Sequence, residues 1–90
     1  MKTYNEQEAI SKLESLRGWT FEDKGIEKEY EFDNFVEAFS FMTKVAMLSE
    51  RANHHPELFN VYNQVHVRYT THDAGGLTDK DFALAAAIDE

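Results

Sequence analysis

The first third of the chain alternates between helical and strand-like patterns of apolar residues. Ile10, Leu13 and Leu16 recur at helical spacing after a capping pattern that starts at Asn5, which predicts a first helix over residues 5–16. Apolar and polar residues then alternate over 19–22 and again over 26–32, as they do in half-buried strands. The turn residues between these two stretches predict a β-hairpin.

The centre of the chain predicts one long helix with two apolar stripes. Asp33 is a suitable N-cap for a helix over residues 34–52. The first stripe consists of Phe35, Phe39, Met42 and Ala46, and the second of Phe41, Val45, Leu48 and Ala52. Because a helix turns by about 100° per residue, the stripes occupy neighbouring faces. A single sheet covers one of them, so we expect the second stripe either to meet a partner or to widen the core face.

The last third predicts another hairpin and a final helix. Pro56, the only proline, disfavours helix at His55. Residues 57–62 and 65–71 predict two strands joined by a tight turn at 63–64. Thr78 and Asp81 form a capping-box pattern at the start of the last helix. The order predicts an α+β domain of type αββαββα, with a four-stranded antiparallel sheet and the helices packed on one face.

Length and charge narrow the classes of protein that fit this pattern. Ninety residues predict a single domain, 1–90, with a modest core, for which oligomerisation is a common source of stability. A net charge of −8 without any run of basic residues disfavours direct binding to nucleic acid or to an anionic membrane. The absence of cysteine excludes disulfides and thiolate zinc sites. No segment has the pattern of a signal peptide or a membrane span, so we expect a cytoplasmic location.

Histidines carry the candidate chemistry, because all four lie within positions 54–72. His54 and His55 fall between the end of a helix and the start of a strand, where a side chain is both held and reachable. Glu50 precedes His54 by four residues, so we expect it to share a helix face with His54 and to orient that ring. His72 ends a strand and Asp81 begins a helix, so both could border the same cleft. Imidazole can donate and accept protons near neutral pH, which indicates an acid–base site.

Each of these residues also has a purely structural interpretation. Paired histidines at a helix C-terminus can simply complement the helix dipole, Asp81 can be only a cap, and Glu50 only a surface ion pair. Three imidazoles would suit zinc, but adjacent histidines point apart in an extended segment, so we predict no metal site. His66 lies on the polar face of its predicted strand, and we expect a solvated side chain outside the site.

Taken together, the spacing resembles the signature of the pterin-4a-carbinolamine dehydratase family. The matching signature is Glu50-x3-His54-His55-Pro56, followed by Tyr62, His72 and Asp81. Further similar segments are Gly18–Trp19, Phe39–Met42, Phe59–Asn63, Thr71–Asp73 and Gly75–Thr78. The resemblance extends over about residues 5–89. It departs at Leu58, where many relatives carry Trp, and at Lys80, where Arg is common.

The resemblance implies a role for each matching residue. It implies that His54, His55 and His72 are catalytic. The residues that it implies contact the substrate are Asn53, Thr70, Thr71, Asp73 and Trp19, and the supporting residues are Glu50, Pro56 and Asp81. No metal ion and no cofactor are implied.

The resemblance also implies the reaction and the partners. The reaction is the loss of water from 4a-hydroxytetrahydrobiopterin, or from a related 4a-carbinolamine, to give a quinonoid dihydropterin during tetrahydropterin recycling. The expected partners are the pterin substrate and further copies of the chain, in a homodimer or homotetramer formed through the sheet edge and the 34–52 helix. Two alternatives stay open, namely a coactivator-type dimerisation cofactor that docks a helix on the second stripe, and a dehydratase-like protein of molybdopterin metabolism.

Overall fold

Helices and strands follow one another in the order predicted from the sequence, which confirms the αββαββα fold. The computed structural model describes all 90 residues. The elements are α1 (Glu6–Leu13), β1 (Thr20–Glu22), β2 (Gly25–Glu31), α2 (Phe35–Ala52), β3 (Glu57–Val61), β4 (Gln64–Tyr69) and α3 (Asp79–Ile88). A short 3₁₀ helix, His72–Ala74, precedes α3.

The four strands form one antiparallel sheet in the order β1-β2-β4-β3. Val65, Val67 and Tyr69 of β4 are fully buried, whereas the alternating residues His66 and Arg68 are only partly buried. This alternation is expected when a sheet carries helices on one face and leaves the other to solvent. Each of the three helices contributes residues to the same core, for example Ala9, Val45 and Phe82.

Several boundaries differ from the prediction because local hydrogen bonds compete with the periodic pattern. Asn34 rather than Asp33 caps α2, since its side chain accepts the Glu37 N–H at 2.9 Å. The turn of the second hairpin lies at 62–63 rather than 63–64. Asn63 is held there by Phe32, whose N–H donates to the Asn63 carbonyl at 2.8 Å and whose carbonyl accepts from the Asn63 amide at 2.8 Å.

The structure distinguishes the two apolar stripes of α2, because one packs in the core and most of the other is exposed. Val45 of the second stripe is fully buried, and Phe41 and Leu48 pack against the core. Phe35 and Phe39 of the first stripe are 47% and 54% exposed. The second stripe therefore widens the core face, which is one of the two outcomes expected for it, and it is not left for a partner, because α2 docks on the sheet through the face that contains Val45.

Asp89, the residue after α3, ties the end of that helix to the first hairpin. Its carboxylate accepts hydrogen bonds from Trp19 Nε1 at 2.9 Å, Lys28 Nζ at 3.0 Å and Tyr30 OH at 2.5 Å. Burial by itself would raise the pKa of Asp89, but the hydrogen bonds from Tyr30, Trp19 and Lys28 outweigh it and hold the pKa below the usual value of 3.8. A carboxyl group whose pKa is lower in the folded state stabilises the fold above its unfolded pKa, and that contribution is lost as the pH falls through the folded value.

Replacing Asp89 with asparagine is therefore expected to lower the free energy of unfolding at pH 7, and the difference from wild type should shrink as the pH falls below about 4. Urea denaturation followed by circular dichroism at pH 7 and at pH 3 measures both effects. The control is Glu90→Gln, since the Glu90 side chain makes no hydrogen bond or ion pair. A difference between wild type and Asp89→Asn that stays constant over this range would contradict the assignment.

Candidate active site

The end of α2 is a sharp backbone reversal that carries His54 and His55 off the helix. Asn53 adopts the left-handed conformation, with φ 52° and ψ 44°. Its N–H donates to the Glu50 carbonyl at 3.0 Å, and the His54 N–H donates to the Ser49 carbonyl at 3.0 Å. These two bonds form a Schellman motif, which requires one residue in the left-handed conformation. Asparagine adopts this conformation more readily than most other residues do.

Asp81 is the buried polar centre of the site. Its carboxylate is fully buried and closes the capping box of α3, where Oδ2 accepts the Thr78 N–H at 2.9 Å. The same oxygen accepts from Thr71 Oγ1 at 2.8 Å. The other oxygen, Oδ1, lies 2.5 Å from Nε2 of His54. A capping residue that was predicted from local sequence thus also contacts a histidine 27 positions away.

This contact fixes which nitrogen of His54 is available to a ligand. A carboxylate can only accept, so Nε2 of His54 carries a proton and a neutral ring has its lone pair on Nδ1. Nδ1 has no partner in the chain, and no buried side-chain nitrogen or oxygen lacks one, so Nδ1 reaches the surface. A ring held in this way can take up a proton at Nδ1 while the carboxylate stabilises the resulting imidazolium.

His55 is paired with Glu50, although the sequence predicted Glu50 beside His54. Nε2 of His55 lies 2.7 Å from Oε1 of Glu50, and these side chains are 58% and 80% exposed. The prediction that Glu50 lies beside His54 was wrong because α2 ends at Ala52 and the chain reverses at Asn53. His54 is therefore outside the helix, and the i,i+4 spacing does not place it on the same face as Glu50. Such an exposed pair is screened by water and orients the His55 ring only weakly.

His72 begins the 3₁₀ helix next to this group. The preceding residue, Thr71, is buried and its hydroxyl contacts Asp81, so a hydrogen-bonded path joins His54, Asp81 and the start of the His72 segment. The His72 side chain is exposed and makes no hydrogen bond within the chain. Gly75 ends the 3₁₀ helix with a φ of 75°, and its N–H donates to the His72 carbonyl.

The remaining predicted contact residues have different surroundings. Asn53 and Asp73 are exposed, whereas the Thr70 hydroxyl donates to the Lys24 carbonyl at 2.7 Å. Trp19 is only 4% exposed, donates to Asp89 and packs against Tyr69, so it reaches the histidine group only through Tyr69. The pterin-contact roles of these residues stay predictions.

The other polar groups considered in the sequence lie apart from this site. His66 is on the open face of the sheet, where it is paired with Glu29 and lies 3.7 Å from Glu27. No group of three or more His, Cys, Asp or Glu side chains is arranged to hold a metal ion. None of the helices has the length and hydropathy needed to span a bilayer.

Sequence reasoning missed two residues that contact His54 directly. The Tyr69 ring lies parallel to the His54 ring, with the centroids 6.0 Å apart and the planes 16° apart. The Ser49 and Tyr69 hydroxyls are 2.7 Å apart and buried. Ser49 lies on the same buried face of α2 as Val45. A polar residue on the buried face of a helix usually has a hydrogen-bond partner, and this was the sequence feature that could have identified Ser49.

Comparison with known proteins identifies one family. A family model described as pterin 4 alpha carbinolamine dehydratase matches residues 2–90. A protein of Prochlorococcus marinus (strain NATL2A) named "Putative pterin-4-alpha-carbinolamine dehydratase" is 51% identical over 78 residues, which are 87% of this chain and 82% of that protein. A protein of Rhizobium johnstonii with the same name is 54% identical over 82 residues, which are 89% of this chain and 81% of that protein.

Two solved structures share the fold. The crystal structure of a transcriptional coactivator/pterin dehydratase from Brucella melitensis matches with a TM-score of 0.92 and 36% identity, covering 98% of this chain and 96% of that one. A pterin dehydratase-like protein described as a RuBisCO assembly factor in the alpha-carboxysome matches with a TM-score of 0.64. At 21% identity, with 79% of this chain and 82% of that one covered, the second likeness shows the fold alone.

Proposed function

The chain belongs to the pterin 4 alpha carbinolamine dehydratase family, and we propose that it removes water from a 4a-hydroxytetrahydropterin such as 4a-hydroxytetrahydrobiopterin. The product is the quinonoid dihydropterin, so the enzyme would serve tetrahydropterin recycling. The observation that carries the proposal is the buried His54–Asp81 pair, which leaves Nδ1 of His54 at the surface.

The reaction needs one acid and one base. The hydroxyl group on the carbinolamine carbon leaves with a proton from the acid, as water. The base takes the proton from the adjacent ring nitrogen, whose electron pair forms the new carbon–nitrogen double bond. No electrons are gained or lost, so side chains that transfer protons near neutral pH are sufficient.

We assign the base to His54 and the acid to His72. In its neutral form the His54 ring presents the lone pair of Nδ1, and Asp81 lies behind the ring to stabilise the imidazolium that forms. His72 is exposed and unpartnered, so its ring is free to meet the leaving hydroxyl. His55, which is held near Glu50, would bind the substrate or share in proton transfer.

The pterin contacts are proposed to come from side chains that are not already engaged. Asn53 and Asp73 are exposed and flank the histidines in sequence. The Thr71 hydroxyl already contacts Thr78 and Asp81, and its N–H and carbonyl are both bonded to Gly76. We therefore propose that Thr71 holds the Asp81 carboxylate in place and does not contact the substrate directly.

The test of this function is a stopped-flow assay with synthetic 4a-hydroxytetrahydropterin. Purified protein is expected to accelerate dehydration above the rate in buffer, in proportion to protein concentration. Protein carrying His54→Ala, prepared in the same way, controls for a contaminating activity. A wild-type rate equal to that of buffer would rule the proposal out and favour an interaction role.

Self-association is proposed through the face of α2 that the fold leaves uncovered and through the edge strand β3. Phe35, Val36, Phe39 and Met47 of α2 are all exposed, and Phe59 and Val61 of β3 are 66% and 55% exposed. Exposed apolar patches and unpaired strand edges are typical of surfaces that associate. These surfaces support a homodimer or homotetramer.

The same surface supports a second candidate function, the binding of another protein. The Brucella melitensis structure is described as a transcriptional coactivator as well as a pterin dehydratase. A coactivator-type role here would use the exposed face of α2 rather than the histidine group. A dehydratase-like role in molybdopterin metabolism would instead change the substrate of the histidine site.

Replacing Phe39 with aspartate is expected to convert the wild-type oligomer to a smaller species, because a charge in an apolar interface is left without a partner. Size-exclusion chromatography with light scattering at micromolar concentration measures the mass. The matched control is Ile10→Asp on α1, since Ile10 is 52% exposed and Phe39 is 54% exposed. A wild-type protein that is already monomeric, or an equal effect of both variants, would contradict the role of α2.

A further inference from the structure

Tyr69 and His54 form a buried aromatic contact on the side of the site away from solvent. Tyr69 ends β4 and has no exposed surface. Its ring is offset-stacked on the imidazole, with a centroid distance of 6.0 Å and an interplanar angle of 16°. Parallel displaced rings at this separation attract each other beyond their apolar contact.

Ser49 links this contact to the backbone of the same histidine. Its hydroxyl is 2.7 Å from the Tyr69 hydroxyl, and its carbonyl accepts the His54 N–H at 3.0 Å. Ser49 is only 1% exposed, so water does not compete for either bond. One residue of α2 therefore holds both the main chain of His54 and the ring that lies against its side chain.

We propose that Ser49 and Tyr69 are positioning residues that fix the plane of the His54 ring, so that Nδ1 keeps a constant direction toward the substrate. This inference rests on the proposed function of His54 as the base. Asp81 alone holds only the position of Nε2, because a single hydrogen bond tolerates tilting of the ring about it. The parallel Tyr69 ring restricts that tilt, and Ser49 restricts movement of the Tyr69 ring.

Tyr69 has no direct part in proton transfer. Burial raises the pKa of its hydroxyl, the Ser49 hydrogen bond partly offsets that rise, and the negative charge of Asp81 raises it further. The hydroxyl therefore stays protonated at neutral pH, and it has no surface through which to touch a substrate. Its contribution acts through His54.

The test combines kinetics with the nuclear magnetic resonance signal of the His54 Nε2–H proton in ¹⁵N-labelled protein. Tyr69→Leu removes the ring, and Tyr69→Phe keeps the ring but removes the hydroxyl. Tyr30→Phe is the matched control, because Tyr30 donates its hydroxyl to Asp89 in the same core and makes no ring contact with His54.

Tyr69→Leu is expected to shift and broaden the His54 Nε2–H signal and to lower kcat about tenfold with KM within about twofold, since small errors in the geometry of a catalytic group are costly. Tyr69→Phe keeps the ring but loses the hydrogen bond to Ser49, so it is expected to disturb the signal less and to retain more of kcat than Tyr69→Leu does. Tyr30→Phe should leave both the His54 signal and kcat unchanged, whatever it does to stability.

Ser49→Ala tests the second member of the pair even if Tyr69→Leu fails to fold. It leaves the Tyr69 hydroxyl buried without a partner, so Ser49→Ala should broaden the His54 signal and lower kcat. Combining Ser49→Ala with Tyr69→Phe removes both hydroxyls and is expected to recover part of the loss, which is the sign of a coupled pair.

Two results would overturn the inference. In the first, Tyr69→Leu has the same His54 signal and the same kcat as Tyr30→Phe. In the second, the effects of Ser49→Ala and Tyr69→Phe on kcat are additive in the double variant and its His54 signal is unchanged. The resonance arm is independent of turnover. If wild-type protein fails to dehydrate the pterin while Tyr69→Leu still disturbs the His54 signal, the proposed function fails and the positioning role stands.

Discussion

Replacing His54 with alanine is expected to lower kcat for pterin dehydration by about 10²–10⁴-fold, the usual contribution of one positioned acid–base group. The loss follows from the geometry of the site. Nδ1 of His54 is at the surface, and Nε2 is held at 2.5 Å from the fully buried Asp81 carboxylate. No other histidine has a fully buried carboxylate behind it. Glu50 beside His55 is 80% exposed, Glu27 and Glu29 beside His66 are 25% and 71% exposed, and His72 has no partner.

The measurement must separate the enzymatic rate from the spontaneous reaction. Dehydration of the carbinolamine proceeds in water without help, so each rate is corrected for the rate in buffer and measured at several protein concentrations. A fall in kcat with KM nearly unchanged is the expected pattern, because the base acts on the bound substrate during proton transfer.

The matched control is His66→Ala. His66 is a histidine of the same sheet, but its partners Glu27 and Glu29 lie on the open face. We expect His66→Ala to retain kcat within about twofold, as surface substitutions away from a site usually do. Equal activity of His54→Ala and His66→Ala would refute the assignment of His54 as the base.

The fold was predictable because each element carries its own local signal. The capping patterns at Asn5 and at Thr78 with Asp81 were predicted from the sequence, and both are confirmed as capping boxes, the first of them closed by Glu8. Capping depends on residues three apart, so no knowledge of the tertiary structure is needed to see it. The four strands were recognisable for the same reason, since alternation over a few residues is a local pattern.

The orientation of α2 was not predictable from its two stripes. Both stripes contain aromatic and aliphatic residues, so hydrophobicity did not distinguish them. Ala38, Val45 and Ser49 are the buried residues of the helix, and their small side chains allow it to approach the sheet closely. The face of α2 that docks depends on how well its side chains fit those of β2 and β4. These strands are distant in sequence, so the local pattern of α2 does not reveal that fit.

The sequence proposed the candidate site as a set of residues, but it did not predict the contacts among them. Spacing and family resemblance selected His54, His55, His72 and Asp81, yet the pairing of His54 with Asp81 spans 27 positions. The local i,i+4 argument chose Glu50 as the partner of His54, and it failed because one left-handed residue, Asn53, ends the helix first. Ser49 and Tyr69 were not predicted as site residues, because in the sequence each resembles an ordinary core residue. Only the structure shows that their hydroxyl groups are hydrogen-bonded to each other.

Replacing Asp81 with asparagine is expected to lower kcat about as strongly as removing His54, by about 10²-fold or more, because it reverses the hydrogen-bonding direction at Nε2. The single amide oxygen can still accept from Thr78 and Thr71, which leaves the NH₂ group facing His54. Nε2 must then accept, so the proton of a neutral ring moves to Nδ1. The nitrogen that we propose as the base then carries a proton and can no longer accept one.

Asp81 also supports the fold, so stability must be measured beside activity. Asp81→Asn is expected to lower the free energy of unfolding by about 1–3 kcal/mol, because hydrogen bonds to a buried carboxylate are replaced by weaker bonds to a neutral amide. Asp81→Ala leaves three donors without their acceptor and should cost about 3–5 kcal/mol. Urea denaturation gives both values, and kinetics are then run under conditions where each variant is folded.

The control is Asp79→Asn, the same chemical change two residues earlier in the same helix turn. Asp79 is exposed and accepts only from Tyr4 OH, which an amide oxygen can still satisfy. We expect Asp79→Asn to keep kcat within about twofold of wild type, as exposed substitutions usually do. A folded Asp81→Asn protein that also retained wild-type kcat would show that the proton on Nε2 of His54 has no bearing on the reaction. In that case the base would have to be one of the two exposed histidines, His55 or His72.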